Sequence, residues 1–356
     1  MDAMPRVSII ILNWNGWKDT IECLESVYQI TYPNYDVIVV DNGSENESIE
    51  KIKQYARGDL EVTSKFFSYS KENKPLHYIE YTLEETKAGE RKEAEIADIP
   101  SQRKIILIKN GKNYGFAEGN NIAIRYAINN LNPQYIFLLN NDTVIEKMCL
   151  EQMIEVADRD ESIGILGPVN YYYNYLGQSD IIHFAGGHIN WISGTPTHRG
   201  KNKRDIGQFS GVAEVDYVTG AALCANVQMI KAIGLLNAQF FAYWEETDWC
   251  MRAQRANYKC VFVPTSKMWH KVSSSSKTIT GFPVYQMTRN MFWFMQLNTS
   301  KSRYIFFVIY YLTVKIWYKL VGYLIIRRDP KIIGAYIHGI RDGLKPIETF
   351  KEAHKR

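Results

Sequence analysis

The chain has 356 residues, 46% hydrophobic and 22% charged, which predicts a folded protein of two to three ordinary domain units and excludes a disordered one. Its net charge of +4 is too small to suggest a nucleic-acid partner. The charge is unevenly spread: residues 301–356 hold 12 Lys/Arg against 4 Asp/Glu and carry +8, leaving −4 on the rest, a pattern that fits a membrane surface better than DNA.

Taken in chain order, residues 6–12 are a β-branched apolar run that predicts a strand buried on both faces, the parallel-sheet type. The run is too short for a signal peptide, so the folded part of the chain is expected on the cytosolic side. Asn13-Trp14-Asn15-Gly16 breaks it, and residues 17–30 have helical apolar spacing. A second buried strand over 35–40 ends at Asp41-Asn42-Gly43-Ser44, followed by a helix from about Ser48. Residues 104–108 predict a third strand, 118–130 a helix, and 135–139 a fourth strand ending at Asn140-Asn141-Asp142. Strands alternating with helices imply βαβ units and a mostly parallel, Rossmann-like sheet. Residues 59–103 are too long and polar for one connection and read as a surface insertion, helical or mobile.

Beyond residue 145 the pattern predicts a helix over 146–158, a strand over 163–168, short strands and loops over 171–211, a helix over 248–257 and a strand over 260–263. The five cysteines (Cys23, Cys149, Cys224, Cys250, Cys260) form no CxxC pair and read as small buried hydrophobes in a reducing compartment. Residues 304–326 are apolar apart from Lys315 and Lys319, four apart on one helix face. That spacing predicts a helix lying in the membrane interface with both lysines toward headgroups, a packed soluble helix and a transmembrane span being the other readings. The units expected are residues 1–295 and a helical, basic, aromatic membrane-associating region over 296–356.

Four segments could carry chemistry. Asp41 and Asp142 sit at strand C-termini, where open parallel sheets bind ligands; each also fits a plain turn. A carboxylate at the end of a buried strand can hold Mg²⁺ or Mn²⁺ against phosphate oxygens. Glu245-Glu246-Thr247-Asp248 opens a helix behind an aromatic run. Clustered carboxylates beside apolar walls raise one another's pKa, which suits a general base, although acids also favour a helix's first turn for its dipole alone. His270 follows a strand and by itself reads as structural.

Together and in this order, residues 7–16, 39–44, 113–121 (Asn-Tyr-Gly-Phe-Ala-Glu-Gly-Asn-Asn), 138–142, 218–222, 244–252 and 269–270 resemble family 2 glycosyltransferases, in the rhamnosyltransferase and galactofuranosyltransferase branch. The resemblance implies a GT-A fold over residues 5–295 and inversion at the anomeric carbon. It implies that Asn13, Asp41, Asn113, Gly115, Asn120, Asn140 and Asn141 bind a UDP- or dTDP-sugar donor, and that Gly220, Ala221 and Trp244 meet the acceptor. Asp142 and His270 would hold the divalent metal, Mg²⁺ or Mn²⁺. Asn140 stands where the family's metal motif has its first acid. Glu246 stands at the usual base, with Glu245 and Asp248 as the other carboxylates of the cluster. The acceptor expected is a lipid-linked or surface glycan at the cytoplasmic membrane face, the enzyme being peripheral; transfer to a polyprenyl phosphate and a noncatalytic sugar-binding module are the alternatives.

Overall fold

The computed structural model describes residues 4–89, 92, 98–272, 281–323 and 330–348. The chain opens with β1 (Val7–Asn13), α1 (Trp17–Val27), β2 (Tyr35–Asp41) and α2 (Ser48–Arg57), then β3 (His77–Thr82), α3 (Leu83–Ala88), β4 (Lys104–Lys109), α4 (Gly115–Asn130) and β5 (Tyr135–Asn140). Next come β6 (Thr143–Ile145), α5 (Cys149–Ala157), β7 (Ile163–Tyr172) and the short strands β8 (Ile181–Phe184), β9 (Gly187–Asn190), β10 (Thr195–His198), β11 (Lys203–Arg204) and β12 (Ala213–Glu214). β13 (Ala222–Asn226), α6 (Val227–Ile233), α7 (Glu245–Arg255) and β14 (Lys259–His270) complete the sheet region, and α8 (Phe282–Asn298), α9 (Lys301–Tyr310), α10 (Ile316–Gly322) and α11 (Pro330–Gly343) follow.

The main sheet runs β11-β8-β7-β13-β5-β1-β2-β4-β3. Only its β3-β4-β2-β1-β5 half is continuously parallel; β13 is antiparallel to both β5 and β7. The sheet is therefore mixed, which corrects the expectation of a mostly parallel one. Side chains alternate across the parallel half as a strand's period of two requires. Ile10, Ile38, Val40 and Leu138 fill a core on one face, and Ile9, Ile11, Val37, Val39 and Leu139 fill a core on the other. All five cysteines are buried and unpaired, as expected.

Three further expectations need correction. The 59–103 segment is no mere excursion: β3 adds a parallel edge strand beside β4, and α3 starts with a reciprocal capping pair between Thr82 and Glu85. Part of its charged run, residues 90, 91 and 93–97, lies outside the described residues. The strand expected at 260–263 extends to His270, because a register shift between Val263 and Lys267 lets β14 stay parallel to β7 while pairing antiparallel with β6.

The third correction concerns the lysines of the apolar helix. Among the described residues a 22-residue helical stretch, Lys301–Gly322, is long and apolar enough to cross a membrane by length and composition; it contains a π-helical turn over Tyr311–Lys315, and the expected residues 324–326 lie outside the described ones. Its inward edge is Phe307, Tyr311 and Lys315, spaced four apart. Phe307 and Tyr311 pack on Phe292, while Lys315 Nζ donates to Ser193 O at 2.8 Å and to Thr195 Oγ1 at 2.6 Å. Lys315 thus hooks the helix to the loop between β9 and β10 instead of reaching outward; Lys319 is exposed.

The inserted segment is fastened to α1 by a buried ion pair. Glu25 is fully buried, and its carboxylate accepts from Lys74 Nζ at 2.9 Å, Tyr55 Oη at 2.7 Å, the Ser70 N–H at 2.9 Å and Gln29 Nε2 at 2.8 Å. Removing one partner of such a pair leaves the other charge buried and uncompensated. Glu25→Ala is expected to cost about 3–5 kcal/mol, read as a lower urea midpoint with an unchanged slope.

Candidate active site

The C-terminal ends of β1, β2 and β5 lie side by side, since Asn13 pairs with Asp41 and Leu12 with Asn140. A hydrogen-bonded chain ties these ends together. Asn141 Nδ2 donates to Thr20 Oγ1 (3.0 Å), Thr20 Oγ1 to Asn13 Oδ1 (2.8 Å), and Asn13 Nδ2 to Asp41 Oδ1 (2.8 Å). The other Asp41 oxygen accepts from the Ser44 N–H at 3.0 Å. Asn13 and Asp41 are both buried and spend their hydrogen bonds inside the chain, so they build the floor of the site. Asn42 does the same for the next loop: its Nδ2 reaches Asn113 Oδ1 (3.0 Å) and Gly115 O (3.1 Å), and its Oδ1 accepts from Asn110 Nδ2 (3.1 Å).

Above this floor is a cavity of about 580 Å³, the size of a small-molecule site. Asn140, Asn141, Asp142, His270, Asn113, Gly115, Gly220, Ala221, Glu245 and Glu246 all line it. Asn120 does not; its side chain turns to Phe116 O. Nor does Trp244, which is buried against Phe294 with ring centroids 4.8 Å apart; the aromatic side chains at the cavity on this side are Phe241 and Tyr243. Gly115 has φ +79°, and a Cβ there would meet the Phe241 ring at 2.6 Å, so only glycine fits that approach.

Asp142 and His270 are 128 residues apart yet meet, because β6 pairs His270 with Thr143. His270 Nε2 lies 3.0 Å from Asp142 Oδ1, and the Lys271 N–H donates to Asp142 O. Burial pushes the Asp142 carboxyl up, but neighbouring His270 and Lys271 outweigh it and the net shift is down. The Asn140 Oδ1 and His270 Nδ1 atoms are buried with no hydrogen-bond partner among the described residues. His183 also lines the cavity, its ring centroid 5.8 Å from that of His270.

Glu245 and Glu246 open α7, and each has one carboxylate oxygen buried without a partner among the described residues. Burial raises both carboxyls above the usual range; for Glu245 the neighbouring Glu246 adds to it, while N–H groups at the start of α7 and at Gly220 partly offset the rise for Glu246. Asp248 is set apart from this pair: it points away and is held by Arg252 Nε at 2.8 Å and Asn298 Nδ2 at 3.1 Å.

The profile of Glycosyl transferase family 2 matches residues 8–72 and 88–212, more than half of the chain. The chain belongs to this family. It is a glycosyltransferase of GT-A fold with an apolar C-terminal helix. Over 358 aligned residues this glycosyltransferase is 25% identical to the low-salt glycan biosynthesis hexosyltransferase Agl10 of Haloferax volcanii, covering 95% of this chain and 92% of that one. It is 24% identical to the dTDP-rhamnosyl transferase RfbF of Shigella flexneri, over 57% of this chain and 66% of the relative. The solved mannosyltransferase PcManGT of Pyrobaculum calidifontis, in complex with GDP-Man and Mn²⁺, superposes with a TM-score of 0.53 at 11% identity, covering 98% of this chain and 89% of that one.

Sequence reasoning missed Thr20, Asn42, Asn110 and His183. Asn42 lay inside a motif read through its acid, Asp41. Thr20 and Asn110 act as braces and carry no local signal, and His183 joins the cavity only through the β7–β8 pairing.

Proposed function

We propose that this glycosyltransferase moves a sugar from a UDP- or dTDP-sugar to a hydroxyl of a lipid-linked or surface glycan, inverting the anomeric carbon, at the cytosolic face of a membrane. The observation that carries this reading is the meeting of two kinds of group on one cavity: the Asp142–His270 pair, and the Glu245 and Glu246 carboxyls, each with one buried oxygen that finds no partner among the described residues. The first suits a leaving diphosphate and the second a general base. Glu246 takes the proton of the acceptor hydroxyl, and Glu245 holds its partner in the proton-binding range. Asn113, Gly115, Asn140 and Asn141 face the donor, with Asn13 and Asp41 bracing them from beneath.

A Mg²⁺ or Mn²⁺ ion fits this site. Among the described residues no three His, Cys, Asp or Glu side chains are gathered for a metal, but Mg²⁺ is commonly held by one or two carboxylates plus substrate phosphates. Asp142, His270 and the orphaned Asn140 Oδ1 would hold it, and it would neutralise charge on the departing diphosphate. Mn²⁺ is therefore expected to bind at least ten-fold more tightly with UDP or dTDP present than alone, measured by titration calorimetry. The function as a whole is tested by a thermal-shift screen of nucleotide sugars with Mn²⁺, followed by mass analysis of the product. A donor that stabilises the protein and yields a glycosylated acceptor is expected; a full panel without either effect would reject the reading.

The membrane assignment is supported by the outward side of Lys301–Gly322, where Ile305, Phe306, Ile309, Leu312, Trp317 and Val321 are exposed. Basic residues flank it at Lys301, Arg303 and Lys331, and the expected Arg327 and Arg328 lie outside the described residues. Burying one such apolar side chain contributes about 1.5–3 kcal/mol. Phe306→Glu and Trp317→Glu are each expected to weaken binding to anionic liposomes by about ten-fold or more in sedimentation, with nucleotide affinity unchanged.

A further inference from the structure

We infer that Asn290, on α8, is a positioning residue that aims the Glu245–Glu246 carboxylates into the cavity; this rests on the reading of that pair as the base.

Just before α7 the backbone takes an unusual path. Phe241, Tyr243 and Trp244 have φ of +65°, +69° and +78°, a region that a non-glycine residue disfavours and that persists only where the surroundings over-determine it. The surroundings here are specific. Asn290 is fully buried, and its single Nδ2 lies 2.9 Å from Phe240 O, 2.8 Å from Ala242 O and 2.8 Å from Tyr243 O. Arg289 completes the grip, with Nη2 on Phe240 O at 3.0 Å and Nε on Asn290 Oδ1 at 2.9 Å. From the opposite side the Phe116 and Ala117 N–H groups at the start of α4 donate to Phe241 O.

The held segment runs without a break into Glu245 and Glu246, so its path sets their direction. A hairpin or glycine turn could reverse the chain here without strain. Three left-handed non-glycine residues held by one amide instead fix a geometry that the local sequence disfavours. Asn290 does not line the cavity and its amide nitrogen is spent on backbone carbonyls, so it acts through the backbone. It also places the catalytic pair under the control of α8, the helix on which Phe307 and Tyr311 of the membrane-facing stretch pack.

An isosteric Asn290→Asp keeps the volume and removes the donors, setting a carboxylate against three carbonyls. In the full chain its kcat, with the donor found in the screen, is expected to fall on the order of 10²-fold, the cost of a misplacement near 1 Å. The affinity for UDP or dTDP with Mn²⁺ should stay within about three-fold, because the strand-end floor is untouched. A residue acting through the base gives non-additive losses, so Asn290→Asp combined with Glu246→Gln should be no slower than Glu246→Gln alone. Asn290→Ser, which restores a short donor, should recover part of kcat and stands in if the Asp variant does not fold. Wild-type kcat in Asn290→Asp, or losses that multiply in the double variant, would overturn the inference. A Glu246→Gln enzyme with wild-type kcat would instead overturn the base assignment, and the same cycle run with Glu245→Gln then decides whether Asn290 serves that carboxylate.

Discussion

Glu246→Gln is expected to abolish sugar transfer and, at neutral pH, to make the protein more resistant to heat. The first effect is the loss of a positioned general base, on the order of 10²–10⁴-fold in kcat, with nucleotide affinity retained. The second follows from linkage. Burial holds the Glu246 carboxyl above the ordinary value, near 4.3 for an unperturbed glutamate. The folded chain therefore binds this proton more tightly than the unfolded chain. Stability falls as pH rises from the ordinary value through the raised one, and the full cost persists above it. An amide of the same shape carries no such cost, so melting curves of the variant and the parent should diverge as pH rises and converge in acid. Activity in the parent runs the other way: the base works only when deprotonated, so the acid limb of its pH–rate profile should lie above the usual carboxylate range. Since Glu245 and Glu246 titrate together, that limb belongs to the pair. Equal melting temperatures for variant and parent at pH 8 would contradict the linkage.

Asp142→Asn should be comparably damaging by a different route. Its neighbours Asn140 and Asn141 are neutral, so this one substitution strips the strand end of its negative charge while keeping the contact to His270. Losing charge stabilisation of several kcal/mol at the departing diphosphate corresponds to a rate loss on the order of 10²–10⁴-fold. Binding of Mn²⁺ in the presence of UDP, followed by the electron paramagnetic resonance of the ion, should weaken in parallel. A variant that loses rate while binding Mn²⁺ and UDP normally would remove Asp142 from the metal site.

The parallel half of the fold was readable because its strands are short, β-branched and buried on both faces, and because each ends at a polar break. In the antiparallel half only short strands and loops were legible over 171–211: β8 to β12 are two to four residues long, too short for a period to fix their bounds or pairing. β3 hid in a segment whose charge pointed to solvent, yet Ile79 and Tyr81 are buried at its inward positions. In the site, the residues at strand ends were found through their motifs, and their braces were not, since a brace is defined by what it touches. Adjacency groups Asp248 with Glu245 and Glu246, but it sits two residues from Glu246, about 200° around the helix, and Arg252 one turn later claims it. The resemblance places Trp244 at the acceptor, whereas the left-handed backbone there sends its side chain toward Phe294.

The inward hook of Lys315 on Ser193 and Thr195 bears on where the enzyme can work. A freely hinged amphipathic helix would let a tethered domain swing through a wide volume above a bilayer. Here the helix is stapled to α8 at Phe307 and Tyr311 and to the β9–β10 loop at Lys315, so an enzyme docked through its outer side holds its cavity at one height and one tilt. Such an enzyme measures distance: it would glycosylate the sugar that a membrane-rooted chain presents at that height and pass over those nearer to or farther from the lipid.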